Sequence, residues 1–229
     1  MKNILVVSGH TDLKHSVMNK TILAELARKV PNIEIDELDS LYPDFKIDVA
    51  AEQEKLVKAD IIVLQYPMFW FSFPSILERW MEESFTHGFS HGTTGDKLKG
   101  KKLVLSFTMG APVELYHKEA AMGFELDDFL PCVKATCALT GMEYCGYVCT
   151  GGVSYQMRSD ESLVAQMKAK AADHADRLIA LLEKLQIEYR AALFSRQRGL
   201  QLLWRLWEEE FFCICRKSAR LHRGCARTG

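Results

Sequence analysis

Short apolar runs recur along this chain, and stretches whose apolar residues fall at helical spacing separate them. That pattern predicts a strand at Asn3 to Val7, a helix at Ser16 to Lys29, a strand at Ile33 to Leu38 and a helix at Val49 to Lys58. It continues with a strand at Ile61 to Tyr66, a helix at Pro74 to Glu83, a strand at Leu103 to Phe107, a helix at Phe124 to Thr140, a strand at Glu143 to Cys149 and a long helix from Ser159 to about Lys184. Ile61, Ile62, Val63 and Leu64 show no polar alternation, which suits a strand covered on both faces, and Pro67 ends the ladder by removing an N–H. The order is that of a doubly wound α/β domain: a five-stranded parallel sheet with helices on both faces.

In such a sheet ligands bind in the crevice beyond the carboxyl ends of the strands. Three loops leave those ends. After strand three come Met68, Phe69, Trp70 and Phe71, ahead of a helix for which Pro74 serves as a first-turn proline. These aromatics read equally well as a ligand wall or as a cap over the core. After strand one, GHTDLKHSVMN leads into a helix capped by Ser16, whose free N–H groups and dipole suit a phosphate, with His10 and Asn19 as further donors. An ordinary capped helix is the plainer reading of that segment alone. After strand four come Thr108, Met109, Gly110 and Ala111, where glycine lets the backbone approach a planar ligand. Convergence of the three favours a flavin mononucleotide, with phosphate on the helix start, ring against the aromatics and backbone N–H groups on its pyrimidine edge. Neither GxGxxG nor GxxxxGKS occurs, which argues against a dinucleotide Rossmann unit or a P-loop.

Composition narrows the partners. The formal net charge of the 229 residues is −1, but Arg190 to Gly229 carries nine Lys and Arg against three Glu, leaving −7 for the rest. An acidic body argues against nucleic acid as a partner. No long apolar run or signal pattern occurs, so the expected location is the cytoplasm. Cys132, Cys137, Cys145 and Cys149 read as free thiols in core elements; Cys213, Cys215 and Cys225 complete no zinc spacing, and no metal is expected. The division is residues 1–188 as the βα domain and 189–229 as a basic appendage containing Trp and Cys, with Leu200, Leu203, Trp204, Leu206 and Trp207 able to share one helical face.

On its motifs the chain resembles the flavodoxin-like NAD(P)H:quinone reductases, which include ancillary flavoproteins of glutathione-gated potassium efflux systems. The resemblance spans Lys2 to Lys184 and rests on GHTDLKHSVMN, QYPMFWFSFPSILERW, the GFSHG segment with its following LKGK, and TMGA. TMGA stands where the family has TTGG, and FSHG where it has FAYG. The resemblance implies FMN, with FAD as the alternative, contacted at its phosphate by His10, Ser16, Met18 and Asn19, at its ring by Pro67, Met68, Phe69, Trp70 and Phe71, and at its pyrimidine edge by Thr108, Met109, Gly110 and Ala111. A backbone donor at Met109 is expected to survive the change from threonine. It implies NAD(P)H as co-substrate and a quinone or similar acceptor using the same open ring face in turn. Tyr116 falls at the position of a catalytic tyrosine, whereas the accompanying histidine position holds Met122 or its neighbours, and His117 is displaced from it.

The resemblance further implies a homodimer with a shared flavin site, to which the loop Phe85 to Gly100 is a candidate contributor, with His87 and His91 solvated or at the dimer contact. Two other functions remain open at this stage. One is a regulatory flavoprotein bound to a membrane potassium-efflux protein, which would place it peripherally at the inner face of the membrane. The other is a one-electron flavodoxin.

Overall fold

A computed structural model describes residues 3–188 of the chain. The expectations for residues 189–229, including the helical face at Leu200 to Trp207, lie outside the described residues. Five parallel strands, β1 (Ile4–Ser8), β2 (Ile33–Glu37), β3 (Ile61–Pro67), β4 (Lys102–Thr108) and β5 (Glu143–Thr150), form one sheet in the order β2-β1-β3-β4-β5. The helices are α1 (Val17–Lys29), α2 (Leu38–Leu41), α3 (Val49–Lys58), α4 (Ser75–Ser84), α5 (Pro131–Thr140) and α6 over 161–188. The order reverses between β1 and β3, so the loops after those two strands open away from each other and leave a crevice.

Alternation along buried strands sends successive side chains to opposite faces. Leu5, Val7, Ile62, Leu64, Leu103, Leu105 and Phe107 share one core with Leu56 of α3, Ile76, Leu77 and Trp80 of α4, and Val133 and Cys137 of α5. Each large side chain removed from water there stabilises the fold by about 1.5–3 kcal/mol. Gly9 follows β1 because a Cβ at that position would sit 2.6 Å from Leu77 Cβ, so glycine lets the first loop pass over α4.

Several boundaries differ from expectation. The helix expected at Phe124 to Thr140 starts only at Pro131, behind a separate 3-10 turn at Leu126–Phe129, because proline at the first helical position closes off continuation from the preceding turn. Leu38 ends no strand but opens α2, and the last helix begins after Asp160, whose carboxylate accepts from the N–H groups of Ser162 and Leu163. Pro74 is the cap residue before Ser75 rather than part of the first turn. Cys137 is buried, but Cys132, expected in the core, lies exposed on the first turn of α5.

Candidate functional site

The first loop ends where expected. Ser16 caps α1, its Oγ accepting from the N–H of Asn19 at 3.2 Å, and Ser16, Val17 and Met18 bring the helix start to a cavity of about 390 Å³. His10 Nδ1 accepts from the N–H of Asp12 at 2.9 Å, which leaves its Nε2–H as a donor. Burial lowers the His10 pKa, against the opposing pull of Asp39 and Asp12, so the ring favours its neutral form. The His10 ring meets Phe69 edge to face at 6.3 Å.

Asn19 is the hub beneath the cavity. Its Nδ2 donates to Ser16 Oγ at 3.3 Å and to Thr108 Oγ1 at 3.1 Å, joining the first and third loops, while its Oδ1 accepts from Gln65 Nε2 at 2.6 Å. The second and third loops are tied by the N–H of Met68 donating to the carbonyl of Thr108 at 2.8 Å. Gly110 borders open space: a Cβ there would meet no protein atom within 4 Å. Its glycine is therefore not demanded by packing within the protein, and the room is free for a ligand.

The aromatic loop is a tight turn. Phe69 and Ser72 exchange backbone hydrogen bonds of 3.2 and 3.0 Å around Trp70 and Phe71, both left-handed at φ +49° and +65°. Two positive φ values at the centre of a two-residue turn ordinarily call for Asn or Gly, so bulky side chains here carry strain of order 1 kcal/mol or more each. Trp70 projects into solvent, 93% exposed. Phe71 stacks on Phe129 at 5.0 Å and 17° and faces a second cavity of about 350 Å³.

Of the expected contacts, His10, Ser16, Met18, Asn19, Pro67, Met68, Phe69, Thr108, Met109 and Gly110 line the first cavity together. Trp70, Phe71 and Ala111 stand outside its lining. The Met109 backbone N–H is already engaged, donating to the carbonyl of Thr150 at 2.9 Å, so the donor expected to survive there is spent on joining β4 to β5. Tyr116 is buried against Phe129 rather than at the cavity, and burial raises its phenol pKa. His117 pairs with Glu125 at 3.0 Å on the surface, and Met122 packs on the core. His87 and His91 meet edge to face at 5.6 Å within their own loop.

A fourth loop escaped the sequence reading. Val153, Ser154, Tyr155 and Arg158, after β5, also line the cavity, as does Met167 of α6. Gly151 is the available signal: a Cβ there would lie 2.6 Å from the Ala111 carbonyl oxygen, so glycine lets this loop close onto the third. Arg158 lies over the Tyr155 ring at 3.2 Å, a cation at the cavity edge. The fit to a flavin nucleotide is good at both ends. A helix start with hydroxyl and imidazole donors suits a phosphate without lysine, and the apolar surfaces of Pro67, Met68 and Phe69 beside open space at Gly110 suit a planar ring. Among the described residues no group of three or more His, Cys, Asp or Glu side chains is placed to hold a metal.

Comparison with known proteins agrees with this architecture. General stress protein 14 of Bacillus subtilis is 36% identical over 167 residues, covering 73% of this chain and 95% of its own. A crystal structure of general stress protein 14 from Treponema denticola in complex with FMN matches with a TM-score of 0.70 at 28% identity, covering 78% of this chain and 99% of that one. A structure from P. pentosaceus described as an NADPH-quinone reductase shares the fold, with a TM-score of 0.61 at 23% identity over 75% of this chain and 98% of that one. A family model described as flavodoxin-like fold matches residues 2–175, and with the sheet order β2-β1-β3-β4-β5 this chain belongs to that family.

Proposed function

We propose that the protein is an FMN-dependent NAD(P)H oxidoreductase that delivers two electrons to a quinone or similar acceptor. The observation that carries the reading is one cavity with an anion-seeking end at α1 and an apolar, glycine-bordered end at Thr108 to Gly110, joined across Asn19. The FMN complex of a 28% identical relative supports the choice of cofactor. When bound, FMN supplies the carrier that takes hydride from a nicotinamide and returns it to an acceptor.

The chain's part is to bind and orient. The start of α1, Ser16 and the His10 Nε2–H hold the phosphate, while Pro67, Met68 and Phe69 wall one side of the ring. The exposed turn at Trp70 and Phe71 flanks the side left for nicotinamide and acceptor in alternation. Met109 is assigned to strand joining rather than to the pyrimidine edge. Tyr116 is assigned to support of Phe129 and, through it, Phe71.

A homodimer completes this reading, with Trp70 as the residue a second copy covers, since a strained and almost fully exposed tryptophan favours a contact. The same surface would serve a potassium-efflux protein in the regulatory alternative, and co-purification distinguishes the two. No helix among the described residues is long and apolar enough to cross a membrane. The proposed location is the cytoplasm, where NAD(P)H is available. The test is anaerobic addition of NADPH or NADH to FMN-loaded protein, then of a soluble quinone. Bleaching of the flavin absorbance followed by its return is expected; a flavin left oxidised by both nucleotides would overturn the reading, and return of colour only with one-electron acceptors would favour a flavodoxin.

A further inference from the structure

Behind the cavity a row of buried polar side chains crosses the sheet. Gln65 stands beside Ser106 in the β3–β4 register, and Thr108 beside Thr150 in the β4–β5 register. His174 of α6 lies over this row; His174, Gln65 and Ser106 are 0% exposed. Such a set is stable only if each donor finds an acceptor.

The directions close without conflict. Arg177 can only donate, and its Nη2 lies 2.8 Å from Thr150 Oγ1. With Arg177 on one lone pair, the Thr150 hydroxyl can turn its proton to His174 Nδ1, 2.8 Å away. His174 is then protonated on Nε2, which donates to Ser106 Oγ at 2.8 Å, and Ser106 donates to Gln65 Oε1 at 2.5 Å. Gln65 Nε2 donates to Asn19 Oδ1, and Asn19 Nδ2 donates to both Ser16 and Thr108. Ser16 Oγ also accepts from the Asn19 N–H, so both of its lone pairs are occupied and its own proton remains for the cavity.

We propose that His174 is a positioning residue, locked as the Nε2–H tautomer by Thr150 and Arg177, and that this direction passes through Ser106, Gln65 and Asn19 to make Ser16 and Thr108 donors toward an anionic oxygen in the cavity. Ser16 meets the phosphate; Thr108 extends the donor surface toward the ring. Burial, with the Arg177 charge adding to it and Asp173 opposing, pushes His174 down to about 3, so the ring stays neutral and the direction does not reverse. The identity of the anionic ligand rests on the flavin reading; the hydrogen-bond direction does not.

Two measurements test it. In the wild-type apoprotein at about pH 7, nitrogen-15 NMR of the imidazole is expected to show His174 neutral with its proton on Nε2; the Nδ1–H tautomer, or a charged ring, overturns the relay whether or not a flavin binds. Dissociation constants for FMN and riboflavin then read the phosphate end. His174→Leu is expected to narrow the preference for FMN over riboflavin by about tenfold, the scale of one charge-assisted hydrogen bond. His174→Gln, whose amide can accept from Thr150 and donate to Ser106, is expected to keep the preference. Equal loss for both flavins, no loss, or the same narrowing in both variants would overturn the positioning role. The Nε2–H tautomer in a protein that binds neither flavin would overturn the flavin reading while the relay's direction stands.

Discussion

Two buried polar systems lie on opposite faces of the sheet, and they are built differently. The one beneath the cavity, from Thr150 through His174, Ser106 and Gln65 to Asn19, holds neutral side chains in a directed series ending at the ligand site. The other, under α3 and α4, is ionic. Glu52, 0% exposed, accepts from Tyr42 Oη at 2.6 Å, Trp80 Nε1 at 2.7 Å and Lys55 Nζ at 2.7 Å, and Lys55 also reaches Asp36 at 2.8 Å. One ammonium thus serves two carboxylates, and Asp36 keeps a buried oxygen without a partner. The neutral series can orient hydroxyls without responding to pH, whereas the ionic cluster fastens helices to the sheet and must respond to it. We therefore assign binding to the first and stability to the second.

Cutting the ionic cluster at its centre is expected to have the largest effect on folding. Glu52→Leu strands the Trp80 N–H and the Tyr42 hydroxyl, leaves Lys55 with Asp36 as its remaining partner, and is expected to lower the unfolding free energy by about 3–5 kcal/mol in denaturant titration. Protein that remains folded should bind FMN within about twofold of the parent, because Glu52 touches nothing at the cavity. Asn19→Leu is the opposite case. It removes the acceptor of Gln65 and the link between Ser16 and Thr108, for an expected loss of about 2–3 kcal/mol in stability and of at least about tenfold in FMN affinity. Equal damage to binding by both variants would erase the distinction between the two systems.

A smaller effect has a pH signature. Burial raises Asp36 to about 6 from its ordinary 3.8, and the nearby Glu52 charge adds to this against Lys55. The folded state therefore takes up a proton in that interval, so this carboxyl favours folding most below about pH 4 and loses its advantage as pH rises through about 6. Glu52 pulls the other way, since its partners lower its pKa despite burial. Asp36→Asn is expected to exceed the parent in stability by about 1 kcal/mol above about pH 6 and to converge with it near pH 4, as read by melting temperature across pH. An advantage that grows toward acid would contradict the assignment. Similar in size is Trp70→Gly, expected to gain about 1 kcal/mol by relieving the left-handed strain while weakening any dimer seen by sedimentation.

The five strands and the longer helices were legible in the sequence through local signals, an apolar run, a cap, a proline, a glycine; of the ten expected residues that line the cavity, some, Met18 among them, came only from the resemblance. His174 was not legible, because a histidine inside a long helix reads as surface until tertiary packing places Ser106 and Thr150 on either side of its ring. Yet part of the relay was written in plain view. The apolar runs IIVLQ and LVLS each end in a polar residue, and Gln65 and Ser106 prove to share one register across β3 and β4. The engagement of the Met109 N–H depends on where β5 ends, and the spread of Trp70 and Phe71 away from the cavity depends on backbone angles that composition does not reveal.

The central claim, that the crevice at the carboxyl ends of β1, β3 and β4 is a flavin mononucleotide site, is tested most directly by denaturing the purified protein and identifying the released cofactor by chromatography, before and after incubation with excess FMN and FAD. The account predicts about one FMN per chain, taken up in preference to FAD. A chain that retains neither flavin after incubation would contradict it.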